Sequence, residues 1–155
     1  MTNLAAGTKA PQFDLQTDSG KRLKLSDLTG KKVVVYFYPK DDTSGCTIEA
    51  IDFTKAKAAF EKAGATVVGI SPDSEESHCK FRDKHGLGIT LAADPDHQAI
   101  DAYGVWVEKE NYGRKYMGVE RATFLVGKDG RIAHEWRNVK VAGHVEEVLA
   151  AAEGL

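Results

Sequence analysis

Lys32-Val33-Val34-Val35-Tyr36-Phe37-Tyr38-Pro39-Lys40-Asp41-Asp42-Thr43-Ser44-Gly45-Cys46 is the stretch on which the fold turns. A strand with one wet face alternates apolar and polar residues. Residues 33–38 are apolar at both parities, which predicts a central strand buried on both faces. Pro39 removes a backbone donor and ends it. A polar, glycine-containing turn follows, and from Thr47 to Ala63 the residues Ala50, Phe53, Ala56, Phe60 and Ala63 recur every three to four positions until Gly64. That spacing gives a helix one apolar face. Cys46 thus stands where a buried strand hands over to a helix. Unpaired N–H groups and partial positive charge at such a terminus favour a thiolate.

Outward from this core the pattern alternates. Gln12–Gln16 and Arg22–Leu25 flank Thr17-Asp18-Ser19-Gly20-Lys21 and read as a hairpin at an outer edge. Ala65–Ile70 is a second β-branched run, followed by a polar helix over Ser74–His85 and a short strand at Ile89–Ala92. Asp94-Pro95-Asp96 opens another short helix through Tyr103. Thr123–Val126 and Arg131–Trp136 bracket Gly127-Lys128-Asp129-Gly130 as a hairpin, and a helix over His144–Ala152 closes the chain. Helices between early strands and an antiparallel hairpin late imply an α/β fold: a mixed central sheet with helices on both faces and an N-terminal β-hairpin. A thioredoxin-like sandwich satisfies that order.

The 155 residues, 42% hydrophobic and 28% charged, match one domain spanning 1–155, with no repeat or linker. A net charge of −2 with dispersed Lys and Arg leaves no footprint for nucleic acid. Met1-Thr2-Asn3-Leu4-Ala5-Ala6-Gly7 has no leader pattern and no later run is long enough for a membrane span, so the cytoplasm is the expected location. Two cysteines far apart do not make the disulfide framework of a small secreted domain; they are expected to rest as thiols.

Three neighbours give Cys46 chemical content. The Thr43 hydroxyl fits either an N-cap or a group reaching a bound oxygen. Pro39 either shields the thiolate from water or only ends the strand. Arg121, in Glu120-Arg121-Ala122-Thr123-Phe124, either brings a permanent cation to the same end of the sheet or forms a surface ion pair.

With these residues, Pro39-x-x-x-Thr43-x-x-Cys46 and a distant Arg121 resemble the peroxiredoxin active site. Gly7-x-x-Ala10-Pro11-x-Phe13, Tyr36-Phe37-Tyr38-Pro39-Lys40-Asp41, Gly45-Cys46-Thr47-x-Glu49-Ala50, Ser71-x-Asp73-Ser74, Ser77-His78 and Val139-x-Val141-x-Gly143-His144 are similar to the Q-type, or bacterioferritin-comigratory, subfamily. The resemblance covers nearly the whole chain. It implies that Cys46 is the peroxidatic cysteine, with Pro39, Thr43 and Arg121 shaping its pocket. A hydroperoxide would oxidise Cys46 to a sulfenic acid with no metal or cofactor. Thr43, backbone N–H groups near Gly45 and Cys46, and Arg121 would stabilise the stretched O–O bond. Glu49 either orients Arg121 or stabilises the first helical turn.

Two departures from the subfamily pattern stand out. Position 44 is Ser, where Q-type members usually carry Pro, which leaves the turn less rigid. Position 51, where many place the resolving cysteine, is Ile. The resemblance then leaves Cys79 as the resolving candidate, about one turn before the position near Arg82 used by other relatives. On a helix, Cys79 lies about 200° from Phe81, so a core-facing Phe81 leaves Cys79 accessible. A Cys46–Cys79 disulfide would require opening of the turn around Cys46 and would be reduced by thioredoxin or a similar dithiol. The alternative is a one-cysteine peroxidase resolved by an external thiol. A monomer is implied.

Other readings are weaker. A disulfide reductase needs a second thiol one turn away, and Cys46-Thr47-Ile48-Glu49 lacks it. A metal site from Cys46, Cys79, His78, His85, His97, His134 and His144 lacks paired spacing, and these histidines read as solvated or capping residues. A cysteine hydrolase would need a base such as His134. A non-catalytic interaction module would require an unreactive Cys46. Tyr103 and Trp106 fit packing better than an approach to the site.

Overall fold

In the computed structural model, which describes residues 6–155, the buried run is β3 (Lys32–Phe37), and every one of its residues is buried. It lies inside a seven-stranded sheet of order β2-β1-β5-β4-β3-β8-β9. The other members are β1 (Asp14–Thr17), β2 (Arg22–Lys24), β4 (Ala65–Ser71), β5 (Thr90–Ala93), β8 (Ala122–Val126) and β9 (Ile132–Trp136). β3 pairs parallel to β4 and antiparallel to β8; β4 pairs parallel to β5. The N-terminal hairpin occupies one edge, as its turn residues imply. The mixed thioredoxin-like sheet is therefore present. The reading of residues 1–5 as leaderless lies outside the described residues. Among the described residues no helix is long and apolar enough to cross a membrane.

Side-chain parity on β3 divides the core. Val33, Val35 and Phe37 join Phe13, Ile100, Tyr103 and Phe124 on one face. Val34, Tyr36 and Tyr38 face the other, with Cys46, Phe53, Phe60, Phe81 and Val148 from the helices α1, α2, α3 and α5. These are α1 (Ser44–Lys55), α2 (Lys57–Lys62), α3 (Glu75–His85) and α5 (His144–Glu153); α4 (Gln98–Ala102) supplies Ala99 and Ile100 to the first face. Tyr36 seats α1. Its ring stacks on Phe53 with centroids 4.6 Å apart and lies over Gly69 of β4, where a Cβ would fall 2.7 Å from the ring.

Three expectations need correction. The helix after Cys46 starts earlier, at Ser44 with Thr43 as N-cap, and breaks at Ala56 (φ −90°, ψ 0°) instead of running to Ala63. The break turns α2 onto β4 while Phe53 and Phe60 stay 5.8 Å apart in one aromatic group. The short helix after Asp94 begins at Gln98, because the Asp94 carboxylate accepts the N–H groups of Gln98, Ala99 and Ile100 as its cap. Residues 106–119 form an unexpected hairpin, β6 (Trp106–Asn111) and β7 (Arg114–Val119), outside the main sheet. Its turn places Tyr112 and Gly113 at φ 52° and 76°, the left-handed pair that two-residue hairpins use.

Candidate active site

The handover from β3 to α1 puts Cys46 in the first turn of α1, with 1% of its surface exposed. β8 runs antiparallel beside β3, pairing Phe37 with Ala122, and so delivers Arg121 to the same end of the sheet. The Arg121 guanidinium spans two groups: Nη1 donates to Glu49 Oε1 at 2.6 Å and Nη2 donates to Cys46 Sγ at 3.3 Å. Cys46 and Glu49 are three residues apart on one helical face, so one planar fork reaches both. Gly45 permits the approach. A Cβ there would sit 3.1 Å from Arg121 Nη2.

Glu49 is fully buried, and its Oε2 has no hydrogen-bond partner among the described residues. Burial pushes its carboxyl up to about 7, against the opposing pull of the Arg121 guanidinium. Burial also works against the Arg121 charge, yet Glu49 and Cys46 together hold that group above its ordinary value. The two readings of Arg121 thus converge: it is an ion pair, and it touches the thiol.

Thr43 is placed differently from either sequence reading. It is the N-cap by backbone position, but its hydroxyl caps no N–H and donates instead to the Lys40 carbonyl at 2.9 Å. Ser44 is exposed in the first turn. Pro39 is half-buried and lines a groove of about 450 Å³ with Arg121, Lys109, Tyr116, Glu120 and Asn138. Lys109 and Tyr116 come from the unexpected hairpin and carried no sequence signal. Burial and the nearby Arg121 hold the Lys109 ammonium below its ordinary range. Tyr103 is core, packed against Phe13, Phe37 and Phe124, and neither it nor the exposed Trp106 lines this groove.

Cys79 is half-buried on α3, while Phe81 faces the core as helical geometry requires. Its thiol donates to the Asp18 carbonyl at 3.2 Å. Asp18 follows β1, which is three strands from β3 in the sheet order. At about 4.8 Å per strand, the two anchoring strands are roughly 14 Å apart. Both cysteines are free thiols, and their anchoring strands lie further apart than the roughly 7 Å between Cα atoms that a disulfide spans.

The histidines depart from the solvated or capping reading in two cases. His78 is fully buried against Asp41, and His144 is buried with Nε2 at 2.7 Å from Thr123 Oγ1. His134 stacks on Trp136, and the group hydrogen-bonded to Cys46 Sγ is Arg121, so His134 is not the base that the hydrolase reading needs. Among the described residues no group of three or more His, Cys, Asp or Glu is arranged to hold a metal.

Comparison with known proteins adds a common theme. Residues 6–135 match the model of the AhpC/TSA family. The chain is 50% identical over 143 residues to Peroxiredoxin Bcp of Bacillus subtilis, covering 92% of this chain and 91% of that protein. Its structure superposes on the Xanthomonas campestris bacterioferritin comigratory protein with a TM-score of 0.90 at 40% identity, covering 97% of this chain and 98% of the other. A cysteine-to-serine mutant of Xylella fastidiosa PrxQ gives a TM-score of 0.93 at 37% identity, over 99% and 98% of the two chains.

Proposed function

The chain belongs to the AhpC/TSA family as a peroxiredoxin of the Bcp/Q type, and from that premise we propose that Cys46 is the peroxidatic nucleophile of a thiol peroxidase acting on hydrogen peroxide and organic hydroperoxides. The observation that carries this reading is the Arg121 fork, one arm on Cys46 Sγ and the other on buried Glu49. A permanent cation against the sulfur stands where charge moves as the sulfur attacks. The study of the Xanthomonas relative concerns alkyl peroxide reduction, which supports organic hydroperoxides as substrates here.

The proposed reaction draws on this geometry. The thiolate attacks one oxygen of R–O–O–H; the S–O bond forms as the O–O bond breaks, and the electron pair leaves on RO⁻, which takes a proton to give ROH. Negative charge moves from sulfur to the leaving oxygen. Arg121 Nη2 already lies on the sulfur, and Gly45 and Cys46 lie in the first helical turn, whose N–H groups have no partner within the helix and would serve a substrate oxygen. Thr43 joins them if its hydroxyl turns from the Lys40 carbonyl to the substrate. Pro39 forms the wall of the approach, and Glu49 orients Arg121.

Cys79 then resolves the sulfenic acid. Its partial exposure supports this role, and its separation from Cys46 makes local opening part of the cycle. Thioredoxin or a similar dithiol returns the disulfide to two thiols. One domain over 1–155, acting as a cytoplasmic monomer, suffices for this chemistry. The test is peroxide consumption by the purified protein with thioredoxin and its reductase, together with intact mass after stoichiometric peroxide. A loss of two hydrogens with linked Cys46 and Cys79 peptides is expected. Normal turnover of Cys79→Ser with thioredoxin would establish the one-cysteine scheme instead.

A further inference from the structure

The loop between β3 and α1 carries two adjacent aspartates, and both reach across to α3, the helix that bears Cys79. Asp41 is buried. Its Oδ1 accepts the Tyr38 hydroxyl at 2.6 Å, and its Oδ2 accepts the Ser77 hydroxyl at 2.7 Å and faces His78 Nδ1 at 2.8 Å. Its own N–H donates to Asp73 Oδ2 at 2.8 Å, and Ser71 donates to that same oxygen. His78 Nε2 lies 3.0 Å from the Ala92 carbonyl. A carbonyl only accepts, so the His78 ring donates to it from Nε2, which turns Nδ1 toward Asp41. Asp42 repeats the link at the surface, to Lys84 at 2.6 Å and His85 at 2.8 Å.

These bonds join the two segments that disulfide formation must rearrange. Asp41 lies five residues before Cys46, in the loop that sets the path of the first turn; Ser77 and His78 immediately precede Cys79. We propose that Asp41 is a positioning residue of the reaction: its bonds to Ser77 and His78 hold the Cys46 turn against α3, and their release governs the second step without entering the first. In that step the Cys79 thiol meets the Cys46 sulfenic acid; an S–S bond forms, the S–O bond breaks, and the hydroxyl leaves with the thiol proton as water. No further oxidant is required. The proposal rests on Cys79 as the partner of Cys46.

Rapid-mixing measurements on the wild type, Ser77→Ala and Asp41→Asn separate the two steps. Sulfenic acid should form within about twofold of the wild-type rate in both variants, because neither side chain touches the thiol. The disulfide should form roughly tenfold faster in Ser77→Ala, the loss of one hydrogen bond to a charged group, and faster still in Asp41→Asn. An unchanged or slower disulfide step after a normal first step overturns the proposal. Should Asp41→Asn fail to fold, Ser77→Ala decides, since Ser77 is only partly buried. If the wild type forms no Cys46–Cys79 disulfide, the reading of Cys79 falls. Amide exchange of the reduced chain then judges the clasp alone: faster exchange over 40–47 and 74–79 in Ser77→Ala upholds it, and unchanged exchange ends it.

Discussion

Cys46 and Cys79 belong to helices on the same face of one sheet, yet their surroundings differ in every respect that governs sulfur chemistry. Cys46 is 1% exposed, sits in the first turn of its helix and has a guanidinium 3.3 Å from its sulfur. Cys79 is half-buried mid-helix, and its one recorded partner is a neutral carbonyl. Cys46 thus has a permanent cation against its sulfur, whereas Cys79 has a neutral acceptor. The difference lies in what the fold brings to each thiol: exposure sets how far a sulfur can be reached, and the neighbouring groups set the charge beside it.

The largest effect tests this asymmetry directly. Cys46→Ser should abolish peroxide consumption, while Cys79→Ser should leave the first encounter with peroxide unchanged, as read by the rate at which one thiol equivalent disappears. Next comes the cation. Arg121→Ala should slow sulfenic acid formation by roughly 10²-fold or more, the usual cost of losing a preorganised donor. Arg121→Lys should recover only part of it, because an ammonium cannot hold Cys46 and Glu49 with a planar fork.

Glu49 sharpens the comparison through pH. Its carboxyl is raised from 4.5 to about 7, so the folded state holds the proton more tightly than the unfolded chain. The stability this contributes is fully present below about pH 4.5 and is lost as pH rises through about 7, an effect on the order of 3 kcal/mol. Denaturant unfolding from pH 4.5 to 8 should show that decline, and Glu49→Gln should flatten it. The smallest effect belongs to Gly45→Ala. Its Cβ would push on Arg121 Nη2, a flexible tip that gives by a few tenths of an ångström. A several-fold slower first step is expected, roughly a tenth of the Arg121→Ala loss or less.

Much of this was legible in the chain because it rests on local pattern. The both-parity run of residues 33–38 announced β3, and Gly64 marked the end of the apolar helix face. Cys46 at the strand-to-helix junction announced the thiol that the fold sets against Arg121. The hairpin of residues 106–119 was not, since its strands are mostly exposed and only Val119, at its end, joins the core, which leaves no hydrophobic alternation to read. Tyr112-Gly113 was the one available turn signal. The break at Ala56 has no glycine or proline to mark it; packing onto β4 imposes it. His78 could have been recognised as buried, for it lies one helical turn before the core residue Phe81 and shares its face. Arg121 was legible as a candidate, but its simultaneous hold on Glu49 and Cys46 depends on strand register, which no short motif encodes.

The distance in sequence between Cys46 and Arg121, 75 residues, also bears on the order in which the protein is made. During synthesis at ordinary rates the thiol leads its cation by about 4 to 15 s. β8, which carries Arg121 to the site, can pair with β3 only after it has emerged. An unfinished chain thus carries an ordinary cysteine, and the sulfur meets its guanidinium only when the strands beside it are complete.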